Sequence, residues 1–300
     1  MKKKTYLFAL MAMGLTLGSC SDNENGIGGE TSKYITVSTS IGNMTRVATD
    51  EKGGQTFEEG DEISVYAWTG DATVAPETRE RVVNNAINKL TNGSWVSTPQ
   101  MLWKNNRDKH YFIGVYPTAA ISDLSAGEYT FDVNKQTESD LLVAVNKDGL
   151  SYNVDEQQPV PLTFTHVMAK LVVNLTYKNQ WGGIPTVEKV VVGNAAKEAT
   201  INFLTKVVTP STTAKEDFSL PEITENTKYV SVIIPQEDVK QLTIVIGGKN
   251  FVYDNGTPFK LESGKITTVN LEVGRDEIKL GDVKITDWED GSTFGGEALN

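Results

Sequence analysis

Apolar and polar positions alternate with a period of two along most of the chain. Runs at 63–68, 129–133, 187–192, 229–234, 242–246 and 266–273 set Val, Ile, Leu, Tyr or Phe two apart, with polar residues largely between them. Tyr34, Val37 and Ile41 lie in a similar run rich in Thr and Ser. Side chains two apart on an extended chain share a face, so each run predicts a β-strand. Most of the apolar residues are β-branched or aromatic, which suits a pleated surface. Residues 164–177 alternate strictly at Val167, Ala169, Leu171, Val173 and Leu175 and predict one strand. Asn92-Gly93, Asp148-Gly149, Gly247-Gly248 and Asn255-Gly256 lie between such runs. These dipeptides tolerate the positive φ of two-residue hairpin turns. Residues 77–90 carry Val82, Ile87 and Leu90 and fit either a helix or a loop and one strand. The pattern predicts an all-β chain of antiparallel sheets.

The 300 residues suffice for two compact domains of roughly 100–200 residues each. Residues 155–161, Asp-Glu-Gln-Gln-Pro-Val-Pro, are polar and Pro-bearing, as a linker or crossover should be. Two β-sandwiches are expected, at 33–158 and 159–300, the second closing in a Gly-rich tail over 290–300.

The beginning of the chain follows a different pattern. Lys2, Lys3 and Lys4 precede an apolar stretch, 6–17, interrupted only by Gly14 and Thr16. A bilayer span takes roughly 20 apolar residues, so this stretch has the length of a signal-peptide core instead. It ends in Leu17-Gly18-Ser19-Cys20, which resembles a bacterial lipobox. Cys20 is the only cysteine, so no intramolecular disulfide can form. A signal peptide over 1–19 and fatty acylation (palmitate among the chains) at Cys20 are expected, anchoring the chain at about 0.8 kcal/mol per buried CH₂. Residues 20–32 are polar and Gly-rich and read as a flexible tether. Ser21 after the cysteine is not the usual Asp retention signal, and Asp22 and Glu24 resemble acidic surface-export tracts.

Charge and chemistry narrow the function. The formal net charge of −11 argues against nucleic acid, which needs a basic face. The two histidines, His110 and His166, fall in different expected domains, and HExxH, CxxC, GxSxG, Walker A and GxGxxG patterns are all missing. No metal, cofactor or catalytic residue is expected, and an enzyme is disfavoured. Glu58, Glu59, Asp61 and Glu62 form the densest carboxylate cluster and read as a solvated turn. Trp68 and Trp103 are expected in the core, Trp95 half exposed, and Trp181, followed by two glycines, at a contact surface.

Four features together resemble the fimbrillin-like families of type V pili: the lipobox; Thr45-Arg46-Val47 followed by Phe57-Glu58-Glu59-Gly60-Asp61-Glu62-Ile63-Ser64-Val65; the series Tyr116-Pro117, Asp140-Leu141-Leu142-Val143-Ala144 and Leu162-Thr163-Phe164-Thr165-His166-Val167-Met168-Ala169-Lys170-Leu171; and the closing Ile285-Thr286-Asp287-Trp288-Glu289-Asp290-Gly291. The resemblance spans most of the chain and leaves open whether it is stalk, anchor or tip.

The resemblance implies two stacked transthyretin-like β-sandwiches in a lipoprotein of the outer membrane that is exported to the cell surface. It implies cleavage after an Arg, here between Arg46 and Val47. That cut would remove the first strand and open a groove for a C-terminal strand of another fimbrial subunit. Such augmentation draws affinity from main-chain hydrogen bonds and selectivity from alternate side chains. Val283, Ile285 and Trp288 are the donor-strand candidates, with Ile278 and Leu280 on a second alternation. Gly281-Asp282 between them suggests a bulge or turn. Adhesion to host or bacterial receptors would follow. The alternative is a monomeric surface lipoprotein that binds glycan or a host protein through its loops.

Overall fold

The structure is a computed structural model that describes residues 33–42, 57–153, 158–254 and 256–288. The strands are β1 (Val37–Ile41), β2 (Glu62–Thr69), β3 (Arg81–Thr91), β4 (Ser94–Thr98), β5 (His110–Tyr116), β6 (Gly127–Thr130), β7 (Leu142–Leu150), β8 (Val160–His166) and β9 (Ala169–Tyr177). They continue as β10 (Lys189–Ala196), β11 (Glu198–Asn202), β12 (Val207–Pro210), β13 (Lys215–Ser219), β14 (Glu222–Thr224), β15 (Lys228–Ile233), β16 (Gln241–Ile246), β17 (Lys249–Asp254), β18 (Lys265–Val273) and β19 (Ile278–Asp287). Among the described residues the one α-helix is short, α1 (Gln136–Ser139), and precedes β7. The chain is all-β, as the alternation predicts.

Seven strands form the first sheet, in the order β1-β8-β7-β5-β2-β3-β4. The sheet curls until its outer strands meet, and the Trp95 indole N–H on β4 donates to Thr39 Oγ1 on β1 at 3.0 Å. The curl encloses a core of Val37, Ile41, Ile63, Val65, Phe112, Leu162 and Phe164. Its other face carries Tyr66, Trp68, Ile113, Val115 and Val143 into a larger core shared with residues beyond 167. The central strand β2 is therefore buried on both faces although its sequence alternates.

The remaining strands form a five-stranded sheet, β14-β15-β9-β18-β19, and a four-stranded sheet, β13-β10-β16-β17. Leu171, Val173, Val269 and Leu271 of the former share the large core with Val190, Val192, Ile244 and Ile246 of the latter. A three-stranded sheet, β12-β11-β6, joins a strand from before residue 158 to two from after it. The described residues all fall in one compact unit.

Several elements differ from expectation. The stretch 77–90 is a 3₁₀ turn, Thr78–Glu80, followed by β3, the second of its two readings. Residues 164–177 are two strands, because β8 ends at His166 in the first sheet and β9 starts at Ala169 in the five-stranded one. The Pro-bearing stretch thus leads into the first sheet, and the passage between sheets falls at Val167–Met168 instead of 158/159. Two pairings are parallel, β1 with β8 and β9 with β18, within otherwise antiparallel sheets. Asn92-Gly93 and Gly247-Gly248 make two-residue hairpins with positive φ at both positions. Asp148-Gly149 instead lies within β7, in a bulge opposite Tyr111. Gly256 precedes a loop, and Asn255 lies outside the described residues.

Candidate functional site

Among the described residues, β1 itself is laddered along one edge only. β1 runs parallel to β8 from Val37 opposite Val160 to Ile41 opposite Phe164. Just before it, Ile35 N–H donates to Met101 O at 2.9 Å and Trp103 N–H to Lys33 O at 3.1 Å. Ile35, Val37 and Ile41 are buried in the curled sheet's core. Full burial of each is worth about 1.5–3 kcal/mol, so the strand is part of the core and not an ornament on it. Its other side faces a cleft of about 650 Å³ lined by Phe57, Leu90, Trp95 and Pro159. Phe57 packs edge-on against Trp95, Tyr116 and Phe164. Arg46 and Val47 belong to the stretch 43–56 between this strand and Phe57, outside the described residues, as does Cys20.

The last strand is the edge of the five-stranded sheet. β19 pairs antiparallel with β18, and a register shift places a bulge at Gly281. The bulge has a consequence for the side chains. Ile278, Leu280, Val283 and Ile285 all lie opposite buried residues of β18, namely Val273, Leu271, Val269 and Thr267. Facing pairs in an antiparallel ladder project to the same side, so the bulge keeps both apolar pairs on the inner face. That face is incompletely covered there. Val283 remains 40% exposed and Ile285 38%, and no residue of β19 is buried.

Trp288, just past β19, is placed differently. Its N–H donates to Gly264 O at 3.0 Å, and its ring is buried. The indole stacks on His166 at the end of β8, with centroids 4.0 Å apart and planes 6° from parallel. Lys170 Nζ on β9 sits 5.0 Å from the ring centroid, in cation–π range. His166 Nδ1 lies 2.8 Å from Asp140 Oδ1, within hydrogen-bond distance. Burial lowers the Lys170 pKa to about 8, against the opposing pull of Asp140. Asp140, His166, Lys170 and Trp288 all belong to the short motifs noted in the sequence, and the fold gathers them at one point. Spacing could not show this convergence. A histidine and a lysine at buried positions of apolar strands were the available signal.

The other candidates have structural duties. His110 is buried, accepts from Lys104 N–H at Nε2 (3.1 Å) and meets Asp108 O through Nδ1 (3.1 Å), and burial lowers its pKa. The carboxylates at 58–62 build a turn: Asp61 accepts from Glu58 N–H and from the Tyr116 hydroxyl, Glu59 from Asn92 N–H, and Glu62 pairs with Lys89. Trp68 is buried, and Trp103 is partly buried against His110 and Phe112. Trp95 is half-buried. Trp181 turns inward, donating to Val273 O at 2.9 Å and packing on Phe251. Among the described residues no group of three or more His, Cys, Asp or Glu could hold a metal, and no helix is long and apolar enough to cross a membrane.

Residues 45–288 match the fimbrillin-like family. A relative named as a candidate fimbrium subunit, Fim1C of Bacteroides uniformis, is 26% identical, the alignment covering 100% of this chain and 99% of that one. A crystal structure of a candidate cell adhesion protein from Bacteroides uniformis superposes with a TM-score of 0.63 at 19% identity, covering 86% of this chain and 100% of that one. A fimbrial protein from Bacteroides vulgatus gives 0.52 at 12% identity, covering 84% and 99%. At these identities the structural likenesses establish the fold.

Proposed function

The chain belongs to the fimbrillin-like family, and from that premise we propose that it is a structural subunit of a cell-surface fimbrium, assembled by strand exchange and supporting adhesion, with no enzymatic role. In this reading Cys20 carries lipid and anchors the precursor in the outer membrane. Cleavage between Arg46 and Val47 releases β1. A C-terminal strand of another copy, with Val283 and Ile285 on its apolar face, then fills the vacated place. Other fimbrial subunits are the partners. Two stacked transthyretin-like sandwiches remain the architecture proposed for the polymerising unit.

The observation that carries the reading is β1 itself. Among the described residues it is the first strand, integral to a core yet laddered in its sheet along one edge, and residues 43–56, with Arg46, follow it in sequence. Losing it would bare apolar surface and unpaired backbone, which demands a replacement strand. The loop-binding alternative is less well supported, because Trp181, its best contact residue, is turned inward.

Electron microscopy of the cell surface with a labelled antibody against this chain tests the proposal, together with a subunit ladder on denaturing gels. Filaments and a ladder are expected. A Cys20→Ala variant should give unacylated precursor and no surface filaments. Monomer alone on fully lipidated cells would sink the reading.

A further inference from the structure

β8 touches both strands that the strand-exchange reading sets in motion, and the inference here rests on that reading. Along β8, Val160–Thr163 pair with β1 and, among the described residues, take no ladder partner on the opposite edge, because β7 joins only at Phe164, Thr165 and His166. Gly42 N–H donates to Phe164 O at 2.8 Å, closing the contact with β1. Two residues further on stands His166, the surface on which Trp288 stacks. One continuous strand therefore carries the first strand along its beginning and the end of the last strand at its tip.

The last strand needs an anchor. None of its own residues is buried. Its ion pairs, Lys265 with Asp287 and Lys279 with the neighbouring Glu277, are exposed, and exposed pairs contribute little. Ile278 and Leu280 pack partly buried against the core, and among the described residues the one buried side chain of the C-terminal segment is Trp288, stacked on His166 with Lys170 in cation–π range and Asp140 bonded to His166.

We propose that Trp288 is a catch that keeps β19 docked in the unassembled subunit, and that β8 links its release to the departure of β1. With β1 in place, β8 is paired along its length and His166 is a fixed seat. Once β1 leaves, the first four residues of β8 have no strand partner, and unpaired terminal segments open locally. The seat loosens, Trp288 unstacks, and β19 is freed to pair elsewhere. The subunit thus keeps its donor strand docked until its own groove is open. The physical warrant is a two-state element, β8, whose arrangement both ends would bias.

Hydrogen exchange read by mass spectrometry on the intact, uncleaved chain tests this without requiring assembly. In the wild-type chain, amides of β1, β8 and β19 should open as one unit with a common denaturant dependence, while those of β9 and β18 stay protected. Trp288→Ala should speed exchange in β19 roughly tenfold or more, a shift of about 1.4 kcal/mol or above, and Trp288→Phe by less. Val37→Asp with Ile41→Asp, which touches no residue of β19, should speed exchange in β19 as well. Should that double variant fail to fold, the wild-type denaturant series decides alone. Opening of β19 independently of β1 and β8, or β19 exchange unmoved by Trp288→Ala, overturns the proposal. Coupled exchange in a chain that never forms ladders would remove the strand-exchange reading and keep the catch. Ladders from a chain without coupled exchange would do the reverse.

Discussion

At the scale of single residues, the motif positions are explained by what they touch. Gly114 sits on β5 beneath the aromatic plug of the curled sheet. A Cβ there would fall 2.6 Å from Phe164 Cζ and 3.1 Å from Leu162 Cδ1, both buried. Gly114→Ala should destabilise the chain by about 1–3 kcal/mol through overpacking, seen as a lower urea midpoint with an unchanged slope. Lys170 offers a pH signature. Burial holds its pKa near 8, whereas an unfolded chain keeps the ordinary value of about 10.4. Between these values the unfolded chain binds a proton that the folded chain has lost, so stability rises as pH climbs from 8 toward 10. Burial pushes Tyr129, Tyr177 and Tyr229 well above their ordinary range, so toward pH 10 the unfolded chain loses phenol protons that the folded chain keeps, which opposes the rise equally in the wild-type chain and in a Lys170 variant. Lys170→Met should flatten the rise, by on the order of 2 kcal/mol between pH 7 and 10 in chemical denaturation. Equal pH slopes in the two chains would mean that Lys170 is solvated. In the sequence His166 stood out as one of two histidines, at the head of an alternating run. Its stacking on a tryptophan more than a hundred residues away was not legible, because nothing local encodes that meeting.

At the scale of elements, the sequence spoke clearly where one strand's own chemistry decides. Asn92-Gly93 and Gly247-Gly248 turn because both of their positions take positive φ. Asp148-Gly149 has the same local preference, but tertiary packing uses it for a bulge, with a Gly149 Cβ falling 2.7 Å from Tyr111 Cε1. The strict alternation of 164–177 hid a change of sheet, because burial on successive faces reads alike in both sheets. Parallel pairing of β1 with β8 left no trace in either strand, since partner direction is a property of the pair. The break at Gly281-Asp282 was legible, and the bulge there keeps Val283 and Ile285 on the inner face. Their exposure of 40% and 38% sets up a sharp expectation. Replacing both with Asp adds charge at positions already half in water, so the monomer should stay folded with a small loss of stability, about 1 kcal/mol or less per site. In a partner's groove the same side chains would be fully enclosed, where each apolar one is worth about 1.5–3 kcal/mol and an unpaired carboxylate is far costlier. The double variant should therefore melt cooperatively yet form no ladder. Normal ladders from it would exclude β19 as donor, and loss of cooperative melting would show that the strand serves chiefly its own sheet.

For the whole molecule, charge and the first strand act together. The chain carries a formal net charge of −11, and residues 20–46 hold Lys33 and Arg46 against Asp22, Glu24 and Glu30, so cutting after Arg46 hardly changes the charge and leaves the subunit strongly acidic. Like-charged subunits repel until they dock, and that repulsion is screened over about 10 Å at 0.1 M salt. Removing β1 has the opposite effect on association, since it uncovers the core that Ile35, Val37 and Ile41 had closed. Each of these side chains is worth about 1.5–3 kcal/mol on burial, so a cleaved subunit gains several kcal/mol of demand for a new strand. The two forces predict distinct behaviour before and after cleavage. Uncleaved precursor should remain monomeric at every salt concentration, since its groove is filled and its charge only repels. Subunits trimmed by an Arg-directed protease should assemble, and faster at about 150 mM salt than at 10 mM, because screening removes the barrier while leaving the apolar gain intact. Light scattering during trimming measures the rate, and mass spectrometry of the assembled material should find Val47 as the new N-terminus. Assembly of material that begins at Cys20 would separate polymerisation from loss of the first strand. Assembly that slows with added salt would mean that charged contacts, and not the vacated groove, bring the subunits together.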